Sequence, residues 1–156
     1  MNPDLQVRLA QTRDIAVLVA GNYHMALETE QRHLDEERLI RGVSAVFEDA
    51  HRGFYLVAES GGQVVGQLMV TFEWSDWRNG TFWWIQSVYV KPEARRMGVY
   101  RSLYQHLMTL AEGQPDICGV RLYVETHNTI AQETYQNLGM QKAHYHLYEV
   151  DRVLGS

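Results

Sequence analysis

A lone cysteine, Cys118, leaves the chain unable to close an internal disulfide, so folding requires no oxidising compartment. Apolar runs of about 18 residues, the length that crosses a bilayer, do not occur. The opening Met1-Asn2-Pro3-Asp4 has no basic region followed by an apolar stretch, so no secretory signal is expected. Positive charge is also short: 14 Lys and Arg against 19 Asp and Glu give a net charge of −5. That balance argues against an electrostatically driven nucleic-acid binder, which needs a basic face to displace counterions. Repeats, low-complexity tracts and linker compositions are missing as well. What remains is 156 residues, 46% of them hydrophobic, enough to bury a self-sufficient core. A single soluble domain spanning 1–156, cytoplasmic and not bound to membrane, is expected.

The patterning predicts the elements. Leu5 to Leu9 alternates as a first strand. Thr12 and Asp14 precede a helix through Ile15, Leu18, Val19 and Met25, and Asp35 can cap a second, carrying Leu39, Ile40, Val43, Val46 and Phe47. Phe54–Glu59 and Gln63–Trp74 read as strands joined at Gly61-Gly62, and Asn79-Gly80 marks another hairpin before Thr81–Val90. That last strand is apolar on both faces except at Gln86 and Ser87, which suits a central position. A helix from Val99 that ends near Gly113 or before Pro115, a strand Ile117–Glu125, a helix capped by Asn128 and ended by Gly139, and a β-like segment Ala143–Val150 complete the chain. The order β-α-α-β-β-β-α-β-α-β predicts an α/β fold, a mixed sheet flanked by helices.

The stretch from Val88 to Arg101 carries the most chemistry. A central strand leads through a short loop into a helix with Gly98 at its entrance. The first N–H groups of a helix lack internal partners and lie at the positive end of its dipole, so they form an anion site that glycine lets a phosphate approach. Lys91, Arg95, Arg96 and Arg101 against Glu93 give the stretch +3, leaving −8 on the rest of the chain. The plainer alternative is a corner whose arginines are only solvated. A Walker loop is excluded, because no Gly-Lys-Ser/Thr follows, and the glycines of a dinucleotide fingerprint are missing.

This stretch resembles motif A of the GCN5-related N-acetyltransferase (GNAT) superfamily, in which a Val-x-Val strand end leads to Arg/Gln-x-x-Gly-x-Gly/Ala. Here it reads Arg95-Arg96-Met97-Gly98-Val99-Tyr100, with Tyr100 in place of the usual small residue. A second segment, Asn128-Thr129-Ile130-Ala131-Gln132-Glu133-Thr134-Tyr135-Gln136-Asn137-Leu138-Gly139-Met140, is similar to the family's Asn-x-x-Ala-x-x-x-Tyr-x-x-Leu-Gly-Phe signature, with Met140 for Phe. Taken without the first motif, it reads more simply as a capped amphipathic helix with a buried tyrosine. The resemblance covers residues 5 to 150 and implies a splayed central sheet and acetyl-coenzyme A as donor. It places the pantetheine arm against Val88, Tyr89 and Val90 and the diphosphate on amides from Arg96 through Met97, Gly98, Val99 and Tyr100 to Arg101, with Asn128 contacting pantetheine. It makes Tyr135 the general acid and the Val88 N–H the oxyanion donor.

The activity this implies is direct acetyl transfer to a primary amine: a small amine, an amino acid or an N-terminal amine. Relatives such as diamine N-acetyltransferases carry a glutamate where Gln86 stands, and an amide cannot take a proton as a carboxylate does. Gln86 could instead orient the amine or a water, while Glu73 or Glu125, the latter preferred, could relay the proton. A non-catalytic acyl-coenzyme A-binding sensor is the alternative. For the acceptor, a small-molecule or peptide amine, Trp74, Asp76 and Trp77 at a hairpin tip offer aromatic faces and a carboxylate, and Glu28 and Glu30 add negative potential. Cross-strand aromatic packing or a homodimer contact explains that tip equally well. No metal site is expected: His144 and His146 share a strand face without a third ligand, and no His-Glu-x-x-His run occurs. Cys118 reads as a buried small residue, and the lack of a Gly-x-Ser-x-Gly elbow leaves serine hydrolysis unsupported.

Overall fold

In the computed structural model, residues 4–155 are described, in two compact units divided between Tyr123 and Val124. The first unit is built on a chain of pairings: β1 (Gln6–Leu9), β2 (Phe54–Ser60), β3 (Gln63–Ser75) and β4 (Gly80–Val90) are successive antiparallel neighbours. The β2–β3 turn falls at Gly61-Gly62, both at positive φ, as a tight hairpin demands. β5 (Ile117–Arg121) joins parallel to β4, through the crossover helix α3 (Val99–Glu112), and gives the sheet the order β1-β2-β3-β4-β5.

Helices cover both faces. α1 (Ile15–Glu30) and α2 (Glu36–Glu48, capped by Asp35 accepting the Arg38 N–H at 2.8 Å) lie on the face presenting Tyr55, Val57 and Met69. Leu18, Val19 and Val43 close that cluster. α1 seats deeply because Gly21 makes room for Gln67: a Cβ there would come within 2.2 Å of Gln67 Oε1. The buried Gln67 amide in turn donates to Leu18 O at 3.2 Å. On the opposite face, Gly66 admits Val99 of α3, which together with the fully buried Leu103 and Leu107 sits over Leu56, Leu68 and Val70. The expected α/β architecture, a mixed sheet flanked by helices, is what forms. No helix among the described residues is long and apolar enough to cross a membrane.

Two boundaries differ from expectation. β5 ends at Arg121 instead of running to Glu125. In the second unit, α4 (Thr129–Asn137) forms as expected, with Asn128 Oδ1 accepting the Ala131 N–H at 3.2 Å and Gly139 at φ +95° after its end. Residues 143–150 form no strand. Their alternation is a real β pattern, but a strand exists only where its N–H and C=O groups find a ladder, and pattern alone supplies no partner. Tyr145, Leu147, Tyr148 and Val150 are exposed.

The start of α1 is fixed by charge. Asp14, only 5% exposed, takes both terminal nitrogens of Arg8 at 2.7 and 3.0 Å and the Gln11 N–H at 2.7 Å, while Arg8 Nε reaches Glu59 at 2.8 Å. The Arg8 bonds hold the Asp14 carboxyl below its ordinary pKa of 3.8. Arg8→Leu, which leaves that carboxylate buried and unpaired, is expected to cost about 2–3 kcal/mol in urea unfolding. Because the native pKa is lowered, the contribution is complete above the ordinary value and disappears as pH falls through the native one. The gap between wild type and variant should therefore close in acid and persist at neutral pH.

Candidate active site at the β4–α3 corner

The β4–β5 ladder ends at Trp84↔Arg121, but β4 continues to Val90 with β3 as its partner. Past Trp84 the sheet therefore opens. Within this stretch the β3–β4 register shifts: Met69 faces Gln86 and Gln67 faces Tyr89, so Ser87 and Val88 share one position opposite Leu68. Ser87 adopts φ +51°, unusual for a non-glycine residue, and the resulting bulge reorients the backbone on either side of Val88. Sequence reasoning missed this bulge. Its one trace was the break in apolar alternation at Gln86-Ser87.

From Val90 the chain turns sharply. The Lys91 N–H donates to Val65 O at 2.9 Å, a 3₁₀ turn spans Pro92–Ala94, and Arg96 and Gly98 both take positive φ (64° and 78°) before α3 begins. The first bond of α3 runs from Ser102 N–H to Gly98 O at 3.0 Å, so the amides just before it belong to the turn that a helix leaves without carbonyls of its own. A left-handed residue followed by right-handed backbone, as at Gly98 and Val99, draws amides into an anion-binding concavity. The space over Gly98 is open, with nothing within 4 Å of where a Cβ would stand. Arg96 and Arg101 are exposed, and among the described residues neither they nor Lys91 forms an ion pair. The Tyr100 ring packs toward Tyr104 within α3, centroids 6.3 Å apart, so the departure at this position is absorbed by the helix.

Arg95 behaves differently from its neighbours. Its Nε donates to Val90 O at 2.9 Å and its Nη2 to Glu28 Oε2 at 2.6 Å, with the guanidinium 5.6 Å from the centre of the Tyr89 ring. The loop is thus braced against the end of α1, and two residues expected to serve cofactor and acceptor separately engage each other. The Tyr89 hydroxyl joins them, donating to Glu28 Oε1 at 3.4 Å; burial first, then the Glu28 charge, push its pKa above 10.0. A cleft of about 300 Å³ lies between α1 and this end of β4, lined by Gly21, His24, Gln67, Tyr89, Lys91 and Glu93. It does not reach Gln86 or Val88.

Along β4, Gln86, Trp84 and Phe82 share the α1 face with Thr71 and Glu73 of β3. Gln86 Nε2 donates to Thr71 Oγ1, leaving Oε1 as an acceptor. Glu73 Oε1 accepts from Trp84 Nε1 at 3.1 Å and from Arg121 Nη1 at 2.9 Å. The expected acceptor box does not assemble. Trp74 follows Glu73 directly and so faces the other side of the sheet. Asp76 spends its carboxylate on the Trp77 N–H at 2.9 Å, and the Trp77 ring stands 87% exposed. Both departures come from strand alternation and turn chemistry at a hairpin tip.

In the second unit, Asn128 acts as the α4 cap, and Tyr135 lies on α4 half-buried, its phenol pushed above 10.0 by burial. Glu125 is exposed and accepts the His127 N–H at 2.7 Å. Among the described residues no cluster of metal-ligating side chains occurs. Cys118 is half-buried.

Comparison with known proteins agrees with this geometry. The model of the "Acetyltransferase (GNAT) family" matches residues 20–140. The chain superposes with a TM-score of 0.89 and 41% identity on a "possible acetyltransferase" from Clostridium difficile 630, covering 96% of this chain and 98% of that one. A "predicted acetyltransferase with acetyl-CoA" from Clostridium acetobutylicum gives 0.76 at 18% identity, covering 94% and 96%. An aminoglycoside N-acetyltransferase in complex with CoA gives 0.75 at 13%, covering 95% of each chain. No curated protein matches the sequence.

The bulge is open to direct test. Ser87→Val forces a β-branched residue into left-handed backbone and should cost about 1–3 kcal/mol, read as a lowered urea midpoint with unchanged slope.

Proposed function

Because the chain belongs to the GNAT acetyltransferase family, we propose that it moves the acetyl group of acetyl-CoA directly to a primary amine within one ternary complex. The corner at Gly98 carries this reading: amides at a helix entrance, open space above a glycine, and cationic side chains around it suit a diphosphate. Arg96, Met97, Gly98, Val99, Tyr100 and Arg101 would hold that group, and Val88 to Val90, along the opened stretch of β4, would pair with the pantetheine arm. Structures of the same fold solved with acetyl-CoA in one case and CoA in another support the assignment. When bound, acetyl-CoA supplies an activated acetyl thioester.

The chain's own groups then have distinct tasks. The Val88 N–H, beside the bulge, is the donor we assign to the developing oxyanion. Gln86, fixed by Thr71, presents Oε1 to an N–H of the amine and orients it, but an amide holds no proton for a base to exchange. Glu125 is the carboxylate assigned to receive that proton through water. Tyr135, a phenol protonated at neutral pH and pushed further above 10.0 by burial, is the group assigned to donate a proton from Oη. Asn128 caps α4 through Oδ1, which leaves its Nδ2 to donate to an amide carbonyl of the pantetheine. Positioning supplies most of the rate in this scheme, since held reactants gain on the order of 7–11 kcal/mol. Gln86 also favours a second reading, an acyl-CoA-binding module without turnover, which calorimetric binding with no thiol release across an amine panel would establish.

Gly98→Glu places a carboxylate against the diphosphate and should lower acetyl-CoA affinity by about 100-fold or more in calorimetry. Gly98→Asn, which tolerates the left-handed backbone, should bind far better than the Glu variant. Equal binding by wild type and Gly98→Glu would refute the cradle. Tyr135→Phe should lower turnover by about 10–100-fold with acetyl-CoA affinity nearly unchanged. An unaltered rate would remove its role as acid.

A further inference from the structure

Four residues along β4 from Gln86, on the same face of the sheet, stands a charge pair that the reaction does not use. Arg121 lies flat against Phe82, its guanidinium carbon 3.6 Å from the ring centre, and one of its nitrogens is bonded to Glu73. Both bonds to Glu73 fall on Oε1, so Oε2 remains an acceptor. The guanidinium has five N–H donors and uses Nη1 alone, so a planar fork is left for a carboxylate. The side chains are accessible: 31% for Arg121 and 45% for Glu73. Trp84 and Tyr123, ring centres 5.9 Å apart, wall the same face, with Tyr123 61% exposed.

Arg121 and Glu73, opposite charges side by side with free bonding capacity, complement a zwitterion, and Arg78, its guanidinium carbon 4.9 Å from the centre of the same Phe82 ring, adds positive charge on the carboxylate side. A simple diamine fits worse, because its far ammonium can use Glu73 but offers no carboxylate to the Arg121 fork. From the acetyltransferase reading above, on which this rests, we infer that the acceptor is a free diamino acid such as lysine or ornithine. Its α-carboxylate is held by Arg121, its α-ammonium by Glu73, and its side-chain amine is delivered to Gln86. The span agrees. Gln86 to Phe82 is four residues of strand, about 13 Å. An extended lysine reaches about 7 Å from Nζ to its carboxylate, and carboxylate to guanidinium carbon adds about 4 Å. An α-amine, one carbon from its own carboxylate, cannot bridge that distance, so acetylation falls on the side-chain nitrogen. That nitrogen gains the acetyl group and loses one proton, the thioester C–S bond breaks, and the sulfur leaves as the thiol.

The test compares L-lysine with cadaverine, which lacks the carboxylate, and with Nα-acetyl-L-lysinamide, which lacks both head-group charges. Thiol release should give L-lysine a kcat/KM at least about tenfold above either, and mass spectrometry should identify Nε-acetyl-lysine as product. In Arg121→Gln the lysine-to-cadaverine ratio should collapse to within about twofold of one, and calorimetric affinity for L-lysine should fall about tenfold. The wild-type ratio needs no variant and so survives any folding defect. Cadaverine or the lysinamide turning over as well as lysine would overturn the head-group site and leave the acetyltransferase reading standing. No turnover of any amine, with acetyl-CoA bound, would overturn both.

Discussion

The site depends on one strand keeping a partner on one side and losing it on the other. β4 is laddered to β3 along its whole length, but its ladder with β5 stops at Trp84↔Arg121. Main-chain donors and acceptors demand partners, so a strand edge opened inside a sheet invites an extended ligand with amides of its own. A pantetheine arm is such a ligand. The bulge at Ser87 falls in this opened stretch, where reoriented backbone can aim a donor at a reacting carbonyl without spending a side chain.

Packing explains why the opening stays in place. Gly66 lets Val99 and Leu103 approach one face of the sheet, and Gly21 lets Gln67 enter α1 on the other. β3 is therefore clamped from both sides, and β4 inherits its position from β3. The diphosphate loop is held at its start by Lys91 on Val65 and in its middle by Arg95 on Glu28 and Val90. With Arg95 spent on bracing, the proposed anion site is left with backbone amides and with Lys91, Arg96 and Arg101. The chain's net charge is −5, so any anion this small basic island takes would be attracted locally and not through a general field.

Much of this was legible in the residues themselves. Period-3.6 apolar spacing gave α3, Gly61-Gly62 gave a hairpin, Asp35 and Asn128 gave caps, and Gly98 marked the strand-to-helix corner on which the proposed anion site rests. Three features were not legible, each for a physical reason. A bulge at a serine leaves almost no compositional mark, because its cause is the register of two strands and not the serine. The Arg95–Glu28 brace joins residues far apart in sequence that only the packing of α1 brings together. Adjacent residues such as Glu73 and Trp74 look like one cluster in a string of letters, but a strand sends them to opposite faces. The segment 143–150 erred the other way: its alternation is strong, and no ladder receives it.

Gln86 constrains the chemistry more than any residue except Gly98. A carboxylate at this position would draw the proton from the amine and also repay the desolvation of an ammonium. An amide fixed by Thr71 does neither; it holds a neutral amine by one hydrogen bond and adds no charge. A site without that negative charge has little means of selecting cations for their charge alone, and must recognise the acceptor elsewhere along its length. The same face supplies such a place four residues up β4, where Glu73 and Arg121 set opposite charges side by side over Phe82. In the proposed arrangement, recognition moved away from the reacting nitrogen would let that nitrogen arrive unprotonated while the head group carries the binding energy. The neutral residue beside the bulge and the charged pair further along the strand thus make one consistent arrangement.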